Sequence, residues 1–205
     1  MYALNAATGA VEWKSQVDTP SQTVDDYFAW SSPTVANGKV YVGLASWCDL
    51  PLVSAGVIGF NQSTGAQIGM WHSLPPGGLG ASVWGTVGVL PSGDVIATTG
   101  NAFGSFQDQP PYNESMVRLN GSTLALEDAW QIPSSLRVND GDFGASPTFF
   151  TGNVNGVQTP LVGACNKDGF YYALNPSNLA SGPVWQHQMS EGGGGDECLA
   201  AAIWN

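Results

Sequence analysis

Charge is scarce in this chain, and positive charge scarcer still. Asp, Glu, Lys and Arg make up 10% of its 205 residues, against roughly 25% in an ordinary domain. Five Lys and Arg face 16 Asp and Glu, a formal net charge of −11. Gripping a phosphate backbone takes clustered Lys and Arg, so this balance argues against nucleic acid as a partner. An acidic surface serves solubility and, in some proteins, calcium. No run approaches the roughly 18 apolar residues of a membrane-spanning helix. No window sustains an apolar period of about 3.6 residues, so long helices are not expected. Cysteines number 3 and histidines 2. There is no Cys-x-x-Cys, and His72 and His187 lie near strand ends, which disfavours a zinc site. No leader sequence is visible either; because the chain opens inside a repeat, that is silent about compartment.

What is present is repetition. Tyr2-Ala-Leu-Asn-Ala-Ala-Thr-Gly…Trp13, Ile58-Gly-Phe-Asn-Gln-Ser-Thr-Gly…Trp71, Val117-Arg-Leu-Asn-Gly-Ser-Thr…Trp130 and Tyr172-Ala-Leu-Asn-Pro-Ser…Trp185 are versions of one segment. Their tryptophans are 58, 59 and 55 residues apart, and Asn5, Asn61, Asn120 and Asn175 keep step. A period this long marks repeated supersecondary units that bury their apolar faces only against neighbours. Within one unit, Ser32-Pro-Thr-Val-Ala and Lys39-Val-Tyr-Val-Gly flank Asn37-Gly38, a pair suited to a type I′ hairpin turn. A strand over Gly56–Phe60, the Asn-x-x-Thr-Gly turn and a strand ending at Trp71 complete it. Each unit thus reads as four short strands, A to D, with further A strands beginning at Gly85 and Ala145. With 27 glycines for tight turns, the pattern describes an all-β chain, a β-propeller of four-stranded antiparallel blades.

Residue 1 falls within strand C of a blade, and residues 199–204 read as a new strand A. The expected division is 1–22 as the end of a blade, 23–75, 76–134 and 135–190 as complete blades, and 191–205 as the start of the next. A partial propeller leaves edge strands unpaired, so the chain is expected to be a fragment of a larger ring.

In such blades the D-to-A and B-to-C connections share one face. The recurring Asn-x-x-Thr-Gly turns lie on the other face and are expected to be structural, with the tryptophans packed between blades. On the first face the residues do not repeat. Trp84 opens strand A of the second complete blade and Asn101 ends its strand B. Asp142 stands just before strand A of the third, and Lys167 ends that blade's strand B. Asp49 lies in the first complete blade's B-to-C loop. A flat aromatic, an amide, two carboxylates and a rare lysine are thereby expected at one mouth. All three cysteines fall on this face too. Cys165 ends a strand B and Cys198 begins the next blade, so the two are read either as a disulfide suited to an exported protein or as buried free thiols. Cys48 has no evident partner.

The blade signature Ala-Leu-Asn-x-x-Thr-Gly-x-x-x-Trp resembles the repeat of the pyrroloquinoline quinone (PQQ) superfamily, whose members are eight-bladed quinoprotein propellers. Trp84-Gly85, Thr99-Gly-Asn101, Asp142-Phe-Gly144 and Lys167-Asp-Gly-Phe-Tyr-Tyr-Ala-Leu174 follow in the order found in the branch that includes polyvinyl-alcohol dehydrogenase. The resemblance implies a dehydrogenase acting on small or polymeric alcohols, with PQQ and Ca²⁺ as cofactors. Trp84 would be the floor under the quinone and Asn101 a calcium ligand, with Asp142 and Asp49 as further metal candidates. Asp142 would be the catalytic base, and Lys167 would both hold the quinone and stabilise charge on its oxygen. It further implies a periplasmic or extracellular setting and an electron-acceptor protein as partner. Two departures stand out. Where relatives place a glutamate ligand this chain has Leu50, with Asp49 adjacent, and the vicinal cysteine pair of some members is not here. Other members are non-catalytic scaffolds, for instance in outer-membrane protein assembly, which leaves a protein- or glycan-binding propeller as the alternative.

Overall fold

The computed structural model describes residues 1–17, 27–106, 112–193 and 198. They form fourteen strands and three single 3₁₀ turns at Gly104–Phe106, Ser134–Leu136 and Leu179–Ser181. β1 (Tyr2–Leu4) and β2 (Val11–Lys14) make a two-stranded sheet, the expected C and D pair. β3 (Thr34–Ala36), β4 (Lys39–Leu44), β5 (Gly56–Asn61) and β6 (Gln67–His72) make the first four-stranded sheet. β7 (Gly88–Val89), β8 (Val95–Thr98), β9 (Ser115–Leu119) and β10 (Leu126–Gln131) make the second. β11 (Thr148–Val154), β12 (Val157–Cys165), β13 (Phe170–Leu174) and β14 (Pro183–Gln188) make the third. In each, sequence neighbours pair antiparallel, the meander of a propeller blade. The expected strand at residues 199–204 lies outside the described residues.

Local chemistry accounts for the turns. Asn37 and Gly38 both have positive φ, 50° and 73°, as do Asn155 and Gly156 at the matching hairpin, 51° and 86°. These are the two left-handed residues a type I′ turn needs. In the C-to-D turns the Asn61 side chain accepts the backbone N–H groups of Ser63 and Thr64 at 2.9 and 3.0 Å. Asn5 and Asn120 repeat this arrangement. The recurring asparagine is therefore a turn former, as expected.

The core lies between blades, and strand alternation builds it. Along β8, Val95 and Ala97 pack toward the first blade, with Tyr41, Val57 and Trp71, while Ile96 faces the third blade, with Val162, Tyr172 and Leu174. β9 divides likewise, Val117 and Leu119 to one side and Met116 to the other. The second blade is thus buried on both faces. The four recurring tryptophans all sit on D strands. The Trp13 indole crosses to the next blade, donating Nε1–H to the Gln62 carbonyl at 2.8 Å.

The A strands begin later than their sequence suggests, β7 only at Gly88. The preceding residues bond instead to the same segment of the adjacent blade. Ser32 N–H donates to Thr86 Oγ1 at 3.0 Å, and Thr86 N–H to Ser146 Oγ at 2.8 Å. Gly85 is needed in this lacing, because an added Cβ would lie 2.9 Å from Ser146 backbone atoms.

Candidate functional site

A cleft of about 420 Å³ opens on the face that carries the D-to-A and B-to-C connections. Trp30, Cys48, Asp49, Trp84, Asp140, Asp142, Gly144 and Lys167 line it. Three loops supply the central groups. Trp84 precedes β7, Asp142 precedes β11, and Lys167 follows β12. The turn that presents Asp142 is closed by its own N–H donating to the Asp140 carbonyl at 2.9 Å, with Asp140 at φ 58°. The Asp142 carbonyl then accepts the Lys167 N–H at 3.0 Å, which brings the two loops into register.

The Asp142 carboxylate, buried to 5% exposure, is the centre of the cluster. Its Oδ1 accepts the Trp84 indole N–H at 3.2 Å and the Asn101 backbone N–H at 2.9 Å. Its Oδ2 accepts from the Lys167 ammonium at 2.8 Å, and the same ammonium donates to Asp140 Oδ2 at 2.9 Å. Gly100 makes this approach possible: a Cβ there would lie 2.0 Å from Asp142 Oδ1. The glycine of Thr99-Gly-Asn101 is thereby accounted for sterically.

Burial pushes the Asp142 pKa up, against the hydrogen bond and charge of Lys167 and the Asn101 N–H, which pull it down. For Lys167, burial acts to lower the pKa, but hydrogen bonds and charge from Asp142 and Asp140 together raise it, so the ammonium stays charged. Beneath them Asp168 braces the lysine turn. It accepts the Tyr172 hydroxyl and the Phe170 N–H, and its own N–H donates to Asn166 Oδ1 at 2.8 Å. Burial raises the pKa of Asp168, and burial together with the Asp168 carboxylate raises that of Tyr172.

Of the residues singled out from the sequence, Trp84, Asp142, Lys167 and Asp49 line the one cleft. Asn101 reaches it through its backbone N–H and lines the adjacent cavity of about 360 Å³ beside Phe103, Glu114 and Arg137. Asp49 is tied to Ser46, whose hydroxyl donates to Asp49 Oδ1 at 2.9 Å. Among the described residues no group of three or more His, Cys, Asp and Glu is placed to hold a metal ion. Cys165 and Cys198 form a disulfide, which resolves the open choice, and Cys48 is a free, exposed thiol.

Sequence reading missed Trp30 and Asp140. Trp30-Ser-Ser32, Trp84-Gly-Thr86 and Gly144-Ala-Ser146 occupy one repeat position, as their shared lacing shows. Aligning the repeats on Ser32, Thr86 and Ser146 would have exposed Trp30. Asp140 carried no comparable signal, since its contact with Lys167 spans 27 residues.

The sequence matches no protein-family model, and no curated protein matches it significantly. Solved structures do share its fold. The chain superposes on a quinohemoprotein alcohol dehydrogenase from Pseudomonas putida HK5 with a TM-score of 0.76 at 19% identity, over 92% of this chain and 31% of that one. A europium-containing methanol dehydrogenase gives 0.71 at 19% identity, over 85% and 36%. BamB from Moraxella catarrhalis gives 0.53 at 15% identity, over 88% and 40%. The chain therefore spans about a third of the length of these proteins, and its fold is that of their β-propeller blades.

Proposed function

We propose that the cleft is the cofactor-side face of a quinoprotein-type propeller that oxidises alcohol or polyol groups. The observation that carries this reading is the nearly buried Asp142 carboxylate held between an indole N–H and an ammonium in one cleft. The volume, about 420 Å³, falls in the range of small-molecule sites, and Trp84 and Trp30 supply flat walls for a planar quinone. Three carboxylates, Asp49, Asp140 and Asp142, face one ammonium there. An anionic quinone such as PQQ would need a further cation, and calcium takes oxygen ligands, although the described acidic residues do not by themselves form a metal cluster. Asp142 and Asn101 are the residues to hold that ion, with Asp49 in the same cleft.

PQQ, when bound, would supply the hydride acceptor. The chain's own residues do the rest. Asp142 takes the proton of the substrate hydroxyl, a task suited to a carboxylate whose burial raises its pKa. Lys167 presents a fixed positive charge to oxygen atoms on which negative charge develops. Asp140 holds that ammonium in place when Asp142 becomes neutral. The Cys165–Cys198 disulfide supports a periplasmic or extracellular setting, and an electron-acceptor protein would complete turnover.

The test is reconstitution of the full-length protein with PQQ and Ca²⁺. Quinone absorbance that stays with the protein, and dye reduction on adding alcohols, are expected. Failure of both overturns the reading and leaves a non-catalytic propeller that binds protein or glycan through this face.

A further inference from the structure

Beside the cleft two aromatic rings are left about half uncovered. Trp30 and Trp47 are 48% and 49% exposed. Their ring centroids lie 5.1 Å apart with an interplanar angle of 25°, and Phe28 packs on Trp47 at 4.7 Å. The cluster is rigidly mounted. The Trp30 indole N–H is consumed by the Ser46 carbonyl at 3.0 Å. Phe28 exchanges both backbone hydrogen bonds with Ala45, at 2.8 and 2.9 Å, just beyond the end of β4. The Ser46 hydroxyl also accepts the Asp49 N–H at 2.9 Å, fixing the turn that carries Trp47. Exposed apolar area on so fixed a support marks a binding surface rather than a frayed loop.

The surroundings select the ligand. Trp30 belongs both to this shelf and to the cleft wall, where the side chains of Asp49 and Asp140 stand. Ionised carboxylates only accept hydrogen bonds, so the ligand must bring donors. Outside the position proposed for the quinone, the residues beside the shelf bring carboxylates and no further cation, so a neutral ligand suits it better than an anionic one. A cage for a quaternary ammonium surrounds its ligand with rings at steep angles, whereas Trp30 and Trp47 stack on each other within 25°, an arrangement that leaves an outer ring face rather than an enclosure for a ligand. A neutral ligand with many hydroxyl groups and a flat C–H face is a pyranose ring.

We propose that Trp30 and Trp47 form a saccharide-binding subsite, which stacks a sugar ring of a neutral oligosaccharide and directs a neighbouring sugar hydroxyl into the cleft. As a statement of substrate class it rests on the dehydrogenase reading above; as a binding site it does not require the quinone. The experiment is therefore run without PQQ. Cellohexaose and maltohexaose are titrated into the full-length protein, with heat and the tryptophan indole N–H resonances as readouts. At least one saccharide binds saturably and shifts the Trp30 and Trp47 resonances while leaving that of Trp130 in place. Trp30→Ala and Trp47→Ala each weaken binding about tenfold, the loss of roughly 1.4 kcal/mol, and Trp30→Tyr restores part of it. Absence of saturable binding by both saccharides, affinity unchanged in both alanine variants, or binding of tetramethylammonium in place of sugar would overturn the proposal. A quinone-negative protein that still binds saccharide through these tryptophans would sink the dehydrogenase reading alone.

Discussion

Lys167 Nζ lies 2.8 Å from Asp142 Oδ2, and this ion pair is the junction of the two loops that close the cleft. Asp142 is buried enough that its charge depends on the lysine, whose side chain is itself only 13% exposed. Removing one partner of such a pair strands the other.

Lys167→Met should destabilise the protein by about 3 kcal/mol at neutral pH, the lower end for a broken buried pair because the cleft is open to water. The deficit should shrink in acid. A carboxylate whose folded pKa is raised above 3.8 binds its proton more tightly when folded. Its contribution is fully present below that value and is lost as pH rises through the folded pKa. Without the lysine the folded value climbs further, so urea unfolding at pH 7 and at about pH 5 should give different deficits. Equal deficits would show that Asp142 does not feel the lysine. In the native protein, Lys167 contributes stability fully below its ordinary 10.5, lost as pH rises through its raised folded value.

Asp142→Asn keeps the shape and the acceptor for the Trp84 and Asn101 N–H groups but removes the base. In the reconstituted enzyme, turnover should fall about 10²–10⁴-fold relative to the fraction of protein that still carries quinone absorbance. Unchanged turnover would remove Asp142 from proton transfer.

Gly100→Ala should damage the same site without touching a charged group. The new methyl would meet Asp142 Oδ1 at 2.0 Å, and a contact so short forces the carboxylate aside. A loss of stability of about 1–3 kcal/mol is expected, with the Trp84 indole N–H resonance displaced as its acceptor moves. A native-like resonance would count against the packing described.

The disulfide can be counted directly. Under denaturing, non-reducing conditions one thiol, Cys48, should react, and after reduction all three should. Cys165→Ser should lower stability by roughly 3–4 kcal/mol for the 33-residue separation, by the chain-entropy account. Three reactive thiols before reduction would contradict the pairing.

Gly65 reports on blade packing. It adopts φ +71°, and a Cβ would lie 2.6 Å from the Trp13 ring of the neighbouring sheet. Gly65→Ala should cost about 1–3 kcal/mol in thermal or urea unfolding. A neutral effect would mean that the β1–β2 sheet does not dock on the first blade.

The fold was legible because its signals are local. The Asn-x-x-Thr-Gly turns, the Asn37-Gly38 hairpin and the short strand runs around them each involve residues a few positions apart. Turn dihedrals and a period of about two decide their structure before any long-range contact forms. The recurrence of Trp13, Trp71, Trp130 and Trp185 then implied stacked blades. That Trp84, Asp142 and Lys167 share a mouth also followed from repeat position alone, since equivalent loops of adjacent blades emerge side by side. What the sequence could not contain was how those loops meet. The indole N–H of Trp84 reaches Asp142 across 58 residues, and Lys167 is shared with Asp140. Asn101 offers Asp142 its backbone N–H and also lines the next cavity. Trp30 and Trp47 find each other only when β4 ends beside the segment entering β3. Those outcomes depend on blade-to-blade packing and on where each strand begins, quantities of a few ångströms that only the tertiary structure sets.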